Sequence, residues 1–413
     1  MRYMQIFIVP ILFLIAVLPA AAGDKVEICH FSPRGPGFKA LAVNAEAAER
    51  HIKMHGDHLG ACLGDVLPLS KVHVTDLSGN KVFVMNGDSN TQLDTLATQK
   101  TPIRAVATPS GEFVYIPNFN SGSVSVVSAS DDAVIGVIKV GGGPQNVVFT
   151  PDSAMAYVYN VKAGSVSVVR TSDLTVVDTI GVGAGDFVAA FNNLAISPDG
   201  VFVYVPNTLD NTVSVIETSS NEVWATVPVG TGPLSLAVTP DSQFVYVVNA
   251  QSSMDVIRTS DHSVVKRIGI TNQAQNLAIT PDGQFVYVIG NSQFVQAIDT
   301  ATNTIVATIE MNQANFGSDI VIDPDSNFVY VPSGQVIIGN GALNVIEIAS
   351  QSVVGRVSLQ GSPSYAAISS DGAVVYIADF STLDVVRTLD NSLVAKVNTG
   401  GDEASGVAVV DIP

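Results

Sequence analysis

The sequence is poor in the residue types that carry most protein chemistry. Its 413 residues include two cysteines, six histidines and one tryptophan, and only 14% of them are charged. The long part of the chain after residue 66 has just two histidines, His73 and His262. Copper and haem centres need several ligating histidines or a Cys-x-x-Cys-His attachment, so neither is predicted there. A strand-to-helix Gly-x-Ser-x-Gly elbow and a phosphate-binding loop are also missing.

Positive charge is scarce as well. Lysine and arginine number 19 against 37 aspartates and glutamates, which gives a formal net charge of −18. Proteins that bind nucleic acid or anionic membranes present a basic patch to the phosphates, so the balance excludes both kinds of partner. A weakly charged, acidic surface instead favours solubility.

Long apolar runs are absent after the N-terminus, and no membrane span is predicted. Arg2 is followed by an apolar run, Ile6 to Leu18, and then by Pro19 and three alanines. A spanning helix needs roughly 20 apolar residues, so this shorter run is typical of a cleavable signal peptide, residues 1–22. No cysteine follows it directly, which argues against lipid attachment. We therefore expect a periplasmic or secreted protein.

The chain is rich in Val, Ile, Thr and Ser and has 34 glycines and 20 prolines, a composition that favours short strands joined by tight turns. One four-residue turn recurs 41 to 47 positions apart, within the period of roughly 40 to 50 residues that is typical of propeller blades. Proline presets the first turn dihedral and aspartate bonds the local backbone, so each turn should close a hairpin. The seven copies begin at Thr108, Thr150, Ser197, Thr239, Thr280, Asp323 and Ser369.

Each period contains four strand-length apolar runs and no helical periodicity, as in Thr239–Asn249, Met254–Asp261, Ser263–Ile270 and Gln275–Gly283. This pattern predicts an all-β protein, a propeller of four-stranded blades, over residues 67–413. A shortened repeat at Lys71 to Asn86 and one inner-type strand at Gly406 to Val410 should complete a common blade. The sequence does not decide whether the propeller has seven or eight blades, but the number of predicted strands favours eight. We expect a monomer.

The segments PDGQFVYVIGN, IDTATNTIVATIEM (Ile298 to Met311) and Ser197 to Pro233 resemble the YVTN family of β-propeller repeats. The likeness extends over about 330 residues and rests on seven copies. The resemblance implies a propeller fold. YVTN propellers are also similar to the large subunits of methylamine dehydrogenases.

Residues 23–66 form a separate segment with both cysteines and four histidines. Asn44 to Met54 is predicted to be a short helix. In an oxidising compartment a disulfide between Cys29 and Cys62 is the favoured interpretation, because the segment is too small to fold on its core alone. The alternatives are a structural zinc site that uses the thiolates, and unpaired cysteines. The segment also resembles a short Cys-His module of secreted bacterial proteins, which implies no activity. The candidate metal ligands are His30, His51, His55 and His58.

The loops that lead from the outermost strand of one blade to the innermost strand of the next differ from repeat to repeat. In propellers these loops open around the central channel. Their amide, aromatic and acidic side chains are candidates for a binding rim for a protein or a small molecule, but the favoured interpretation is that they only satisfy the loop backbone and cap the channel. The candidates are Asp186, Phe187, Phe191, Asn192, Asn272, Gln273, Asn315, Phe316 and Tyr365.

No convincing catalytic set accompanies these loops. Most aspartates belong to the turns, and His262 lies in a turn where exposure is expected. The sequence therefore predicts a non-catalytic binding or scaffold protein with no cofactor firmly implied. The alternative is a propeller hydrolase such as a lactonase, or the large subunit of a periplasmic redox enzyme.

Overall fold

The chain divides into two compact units, Met1–Leu67 and Pro68–Pro413. The predicted signal peptide lies outside the residues that the computed structural model describes. Among the described residues, no helix is long and apolar enough to cross a membrane. The described residues are 25–31, 38–44, 58–59, 69–183, 185, 193–271, 274–290, 292–311, 316–317, 319–334, 341–359, 361–399 and 403–412.

The first unit contains a three-stranded antiparallel sheet. Its strands are β1 (Lys25–Phe31), β2 (Phe38–Asn44) and β3 (His58–Leu59), in the order β2-β1-β3. Asn44, predicted to cap a helix, is the last residue of β2, and the rest of that predicted helix lies outside the described residues.

The second unit is a β-propeller of eight sheets, each of which is one blade. Strands β4 (Leu69–Asp76), β5 (Lys81–Asn86) and β6 (Thr91–Ala97) begin it, and seven consecutive blades follow. Blade 1 is β7 (Val106–Ala107), β8 (Phe113–Asn118), β9 (Ser123–Ser128) and β10 (Ala133–Lys139). Blade 2 is β11 (Pro144–Phe149), β12 (Met155–Asn160), β13 (Ser165–Arg170) and β14 (Thr175–Gly181). Blade 3 is β15 (Ala195–Ile196), β16 (Phe202–Asn207), β17 (Thr212–Glu217) and β18 (Glu222–Pro228).

The later blades repeat this order. Blade 4 is β19 (Pro233–Val238), β20 (Phe244–Asn249), β21 (Ser253–Arg258) and β22 (Ser263–Gly269). Blade 5 is β23 (Ala274–Ile279), β24 (Phe285–Gly290), β25 (Phe294–Asp299) and β26 (Thr304–Glu310). Blade 6 has a divided inner strand, β27 (Phe316–Gly317) and β28 (Val321–Ile322), then β29 (Phe328–Gly334), β30 (Ala342–Glu347) and β31 (Ser352–Ser358). Blade 7 is β32 (Pro363–Ile368), β33 (Val374–Asp379), β34 (Thr382–Arg387) and β35 (Ser392–Asn398).

Blade 8 joins the two ends of the propeller sequence. Its inner strand, β36 (Ala404–Ile412), pairs with β4, and the sheet continues through β5 and β6. Lys71 reinforces the seam with blade 1, where its Nζ donates to Asp132 Oδ1 at 2.7 Å and to the carbonyl oxygen of Ala129 at 2.8 Å. The prediction that the terminal fragments share one blade is confirmed, and the number of blades is eight.

The core lies between neighbouring blades. The two middle strands of each blade are almost fully buried, whereas the outermost strands, such as β10 and β14, expose most of their residues. One apolar cluster fills each of the eight junctions between blades, including the junctions of blade 8 with blades 7 and 1. A blade therefore buries its faces only because both neighbours are present.

A buried tyrosine marks the same position in the second strand of seven blades, as Tyr115 and Tyr157 illustrate. Blade 8 has His73 there, fully buried, with neither ring nitrogen hydrogen-bonded. Burial, and to a lesser extent the nearby Lys71 charge, lowers the pKa of His73 to about 4.

Each recurring turn joins the first and second strands of one blade, and hydrogen bonds connect some turns to those of the neighbouring blade. In each turn the fourth residue has a positive φ and donates its N–H to the carbonyl of the first, as Gly200 does to Ser197 at 2.8 Å. The fourth residue is glycine in blades 1, 3, 5 and 7 and serine in blades 2, 4 and 6. Each serine accepts a hydrogen bond from the preceding turn, for example Ser242 Oγ from the N–H of Asp199 at 3.1 Å. The predicted hairpin role of the turn is confirmed.

His262 is not the exposed turn residue that the sequence indicates. It is half-buried, and its ring meets Phe202 of blade 3 edge-on at 4.9 Å between centroids. Burial lowers the pKa of His262, which the neighbouring Asp261 charge opposes.

Candidate functional site

One residue per blade faces the central channel at the end opposite the turns. It lies four positions before the first residue of the turn. In some blades it is the third residue of the inner strand, and in the others it lies two residues before that strand. Blade 8 has its counterpart in β36. In blade order these residues, the mouth ring, are Arg104, Asn146, Asn193, Ser235, Asn276, Asp319, Tyr365 and Gly406.

The mouth ring encloses a cavity of about 290 Å³, and Arg104, Asn146, Asn193, Asn276, Asp319 and Tyr365 all line it. Water occupies about 30 Å³ per molecule in the liquid, so the space corresponds to roughly ten waters. A small molecule fits this volume. The lining is amide-rich, with one cation and one carboxylate.

Asn193 connects residues from both sides of the channel. Its Oδ1 accepts hydrogen bonds from Arg104 Nη1 at 2.7 Å and from Asn146 Nδ2 at 2.9 Å. Its Nδ2 approaches Ser235 Oγ and Asn276 Oδ1, each at 3.4 Å. The hydrogen bonds fix which end of this amide faces each neighbour.

Asp319 is held by three donors. Its Oδ1 accepts from Asn276 Nδ2 at 3.1 Å and from its neighbour's N–H, that of Ile320, at 2.9 Å. Its Oδ2 accepts from the N–H of Ala366 in blade 7 at 3.0 Å. Burial raises the pKa of Asp319, although the Arg104 charge and the two backbone N–H groups oppose the shift.

The guanidinium of Arg104 lies over the ring of Tyr365, with 4.8 Å between Cζ and the ring centroid. Such stacking holds the plane of the guanidinium in one orientation. Blade 8 makes room for it. A Cβ on Gly406 would lie 2.7 Å from Arg104 Cα and 2.9 Å from the carbonyl oxygen of Ile103, so any larger residue would displace the Arg104 backbone.

Of the nine predicted rim residues, the structure places Tyr365 in the cavity. Phe316 begins β27, where it pairs in register with Gly334, and its side chain is not described. The other seven lie outside the described residues: Asp186, Phe187, Phe191, Asn192, Asn272, Gln273 and Asn315.

Sequence reasoning missed five polar members of the mouth ring that line the cavity: Arg104, Asn146, Asn193, Asn276 and Asp319. Four of them are the last residues of the variable loops, and alignment of the repeats on the turn would have found them. Arg104 follows a connection that was not among those loops, yet it has the same spacing from its turn as the others.

In the first unit, Cys29 is the direct register partner of His58 across β1 and β3, and His30 is paired with Lys39 of β2. Cys62, His51 and His55 lie outside the described residues, so the disulfide and the zinc site both stay predictions. Within the described ranges, no three His, Cys, Asp or Glu side chains are grouped in a way that could hold a metal.

A larger and more open groove of about 630 Å³ lies between blades 5 and 6. It contains Asp282, Asp299 and Glu347. The first two are occupied by their own turns, since Asp282 Oδ1 accepts from Thr280 Oγ1 at 2.6 Å and Asp299 Oδ1 from Thr302 Oγ1 at 2.8 Å. These hydrogen bonds recur in the turns of other blades, so the mouth ring is the better candidate site.

A family model described as Lactonase, 7-bladed beta-propeller, matches residues 105–263. The chain described here has one blade more than that description. No curated protein matches the sequence.

Solved structures share the propeller fold. A hydrazine synthase chain of Kuenenia stuttgartiensis is 24% identical, with a TM-score of 0.56, over 70% of this chain and 95% of that one. The dihydro-heme d1 dehydrogenase NirN, solved with DHE, is 15% identical, with a TM-score of 0.68, over 83% and 75%. Apo AztD of Citrobacter koseri is 14% identical, with a TM-score of 0.65, over 84% and 100%. At these identities the likeness establishes the β-propeller architecture alone.

Proposed function

We propose that this protein is an exported binding protein that holds a small polar ligand at the mouth of its central channel. The observation that carries the proposal is the mouth ring, in which six of eight structurally equivalent positions bring a polar side chain to one cavity of about 290 Å³. Binding sites of this kind combine a concave space with a few convergent polar groups. The repeats resemble the YVTN family, which fits a rigid frame that presents such a site.

Ligand-dependent thermal stabilisation tests the proposal. The purified mature protein is screened against small sugars, polyols, amino acids and organic acids, and native mass spectrometry looks for a ligand that co-purifies. A ligand that binds only the folded state raises the melting temperature, and the rise grows with the logarithm of the ligand concentration once that exceeds Kd. We expect at least one class to do so.

Two serine variants locate the binding. Ser235 is buried in the mouth ring, whereas Ser220 is exposed in the turn between β17 and β18. Ser235→Trp fills the mouth and should abolish the stabilisation, and Ser220→Trp should leave it intact. Asn193→Asp keeps the shape of the mouth and should also weaken binding, which covers the case in which Ser235→Trp does not fold. Binding that survives both mouth variants, or no binding to any probe, would overturn the proposal.

Export is tested by the mass of the mature protein. Cleavage after Ala22 would leave Gly23 as the first residue, in the periplasm or the medium. Intact mass before and after reduction then decides between the predicted disulfide and free thiols at Cys29 and Cys62, and elemental analysis tests for zinc. A full-length product that stays in the cytoplasm contradicts the proposed export.

A second candidate, lactone hydrolysis, is favoured by the family model that matches residues 105–263. Asp319 is the carboxylate of the mouth ring. If the protein opens lactones, Asp319→Asn should remove the activity, whereas Asp325→Asn, at an exposed turn position, should not. Hydrolysis of a lactone panel at the buffer rate would exclude this candidate without affecting the binding proposal.

A further inference from the structure

Arg104 is unusual among the described arginines. Arg170, Arg258, Arg267 and Arg387 each lie within 3.0 Å of an aspartate oxygen, and Arg356 is exposed. Arg104 is half-buried at the channel mouth, and no described carboxylate lies within the 4.0 Å of an ion pair. Its described contacts are one hydrogen bond to Asn193 and the stacked ring of Tyr365.

The nearest candidate counter-ion is already engaged. Asp319 influences Arg104 electrostatically, but its two oxygens accept from Asn276, Ile320 and Ala366. A guanidinium has five N–H donors in a planar fork, and Asn193 takes one of them. Arg104 is one of the residues that line the cavity. The geometry of the guanidinium fork matches a carboxylate, which can accept two parallel hydrogen bonds.

The rest of the cavity restricts the ligand further. Asn146, Asn193 and Asn276 line it, are neutral and can hydrogen-bond with hydroxyl or amide groups. Asp319 faces the same space, so a second negative charge on the ligand would meet it unfavourably. The cavity volume of about 290 Å³ accommodates a small molecule.

We propose that the mouth ring selects a small polar monocarboxylate, with its carboxylate on the guanidinium of Arg104 and its neutral polar groups on the asparagines. The inference rests on the proposed binding function and names its ligand class. Tyr365 is a positioning residue, since it contacts the guanidinium and fixes its plane.

The test compares chemically matched probes by isothermal titration calorimetry at pH 7. Glycerate and gluconate are the acids, glycerol and glucose their neutral counterparts, and malate the dicarboxylate. Hydrogen bonds to charged groups are strong enough for a preference of at least about tenfold for an acid over its neutral counterpart. Malate should bind more weakly than the monocarboxylates.

Three variants assign the preference to its residue. Arg104→Gln should abolish it, Arg104→Lys should retain part of it, and Arg356→Gln, at an exposed strand position, should leave it unchanged. Unchanged melting temperatures in the absence of ligand show that each variant is folded. If neutral probes bind as tightly as the acids, or if Arg104→Gln keeps the preference, this inference is wrong while the proposed function stands. If no probe binds at all, both are wrong.

Discussion

The two ends of the inner strands follow different rules within the same repeats. At the turn end, equivalent positions carry nearly the same residues, and glycine and serine alternate in the fourth turn position. At the mouth end, the eight equivalent positions hold six different residue types. Backbone geometry governs the turn end, because a positive φ and a neighbouring turn constrain every copy. The mouth end has no shared turn geometry, although the Arg104 backbone confines Gly406, and its polar side chains are the ones that we propose to bind a ligand.

We expect the largest effect on stability from weakening the closure of the ring, because both ends of the inner strands depend on a closed circle of blades. Asp132→Asn leaves the ammonium group of Lys71 buried without its charged partner. We expect a loss of about 3–5 kcal/mol in the free energy of unfolding, measured by urea denaturation. The double variant Lys71→Met/Asp132→Asn should recover part of it, because no charge is then buried. Arg170→Gln, which removes an exposed ion pair, should have no measurable effect.

Acid should open the same seam through His73. Unfolded, this histidine titrates near 6.5, whereas the folded pKa is about 4. Protonation therefore favours the unfolded chain below pH 6.5, and the contribution to stability is complete above that pH and lost as the pH falls to 4. The difference amounts to about 3 kcal/mol.

His73→Tyr installs the residue that the other seven blades have at this position. We expect a smaller fall in unfolding free energy between pH 7.5 and 4.5 for this variant than for the parent protein, with little change in ligand binding. Equal pH dependence in the two proteins would show that other groups govern the acid response.

A smaller effect should distinguish the two ends directly. Gly200 has a φ of 74°, and a Cβ there would lie 2.9 Å from Pro151 Cδ. Gly200→Ala should lower the unfolding free energy by about 1–2 kcal/mol and leave ligand affinity unchanged. Gly181, in β14, has no atom within 4 Å of an added Cβ, so Gly181→Ala should be neutral or slightly stabilising. A change in affinity with Gly200→Ala would mean that the two ends are coupled.

Much of the fold could be predicted because the turn chemistry is local. Residues equivalent to Pro151 and Asp199 recur in six of the seven copies each, so their spacing indicated the blades, and the incomplete repeats at the two ends indicated the shared one. The helix predicted to begin at Asn44 stays a prediction, because residues 45–54 lie outside the described residues and the last residue of a strand can also cap a helix.

The site was harder to predict because its residues have no local signature. In the sequence, Asn146, Asn193 and Asn276 look like any asparagine at the end of a loop. Only the closed propeller places them side by side. Arg104 shows the same difficulty, since its lack of a described ion pair is a property of the folded channel and of no sequence motif. Tyr365 could be predicted because an aromatic residue at the end of a variable loop is a common component of binding sites.

The shared blade also has a consequence in time. Strand β36 follows every other strand of the propeller in the chain, and it pairs with β4, which precedes them all. During synthesis β4, β5 and β6 cannot complete their sheet until β36 has been made. A product that stops before residue 404 lacks the inner strand of blade 8, so its ring of blades is not closed. In such a product the edge of β4 that pairs with β36 is left without its partner strand, and unpaired strand edges favour aggregation.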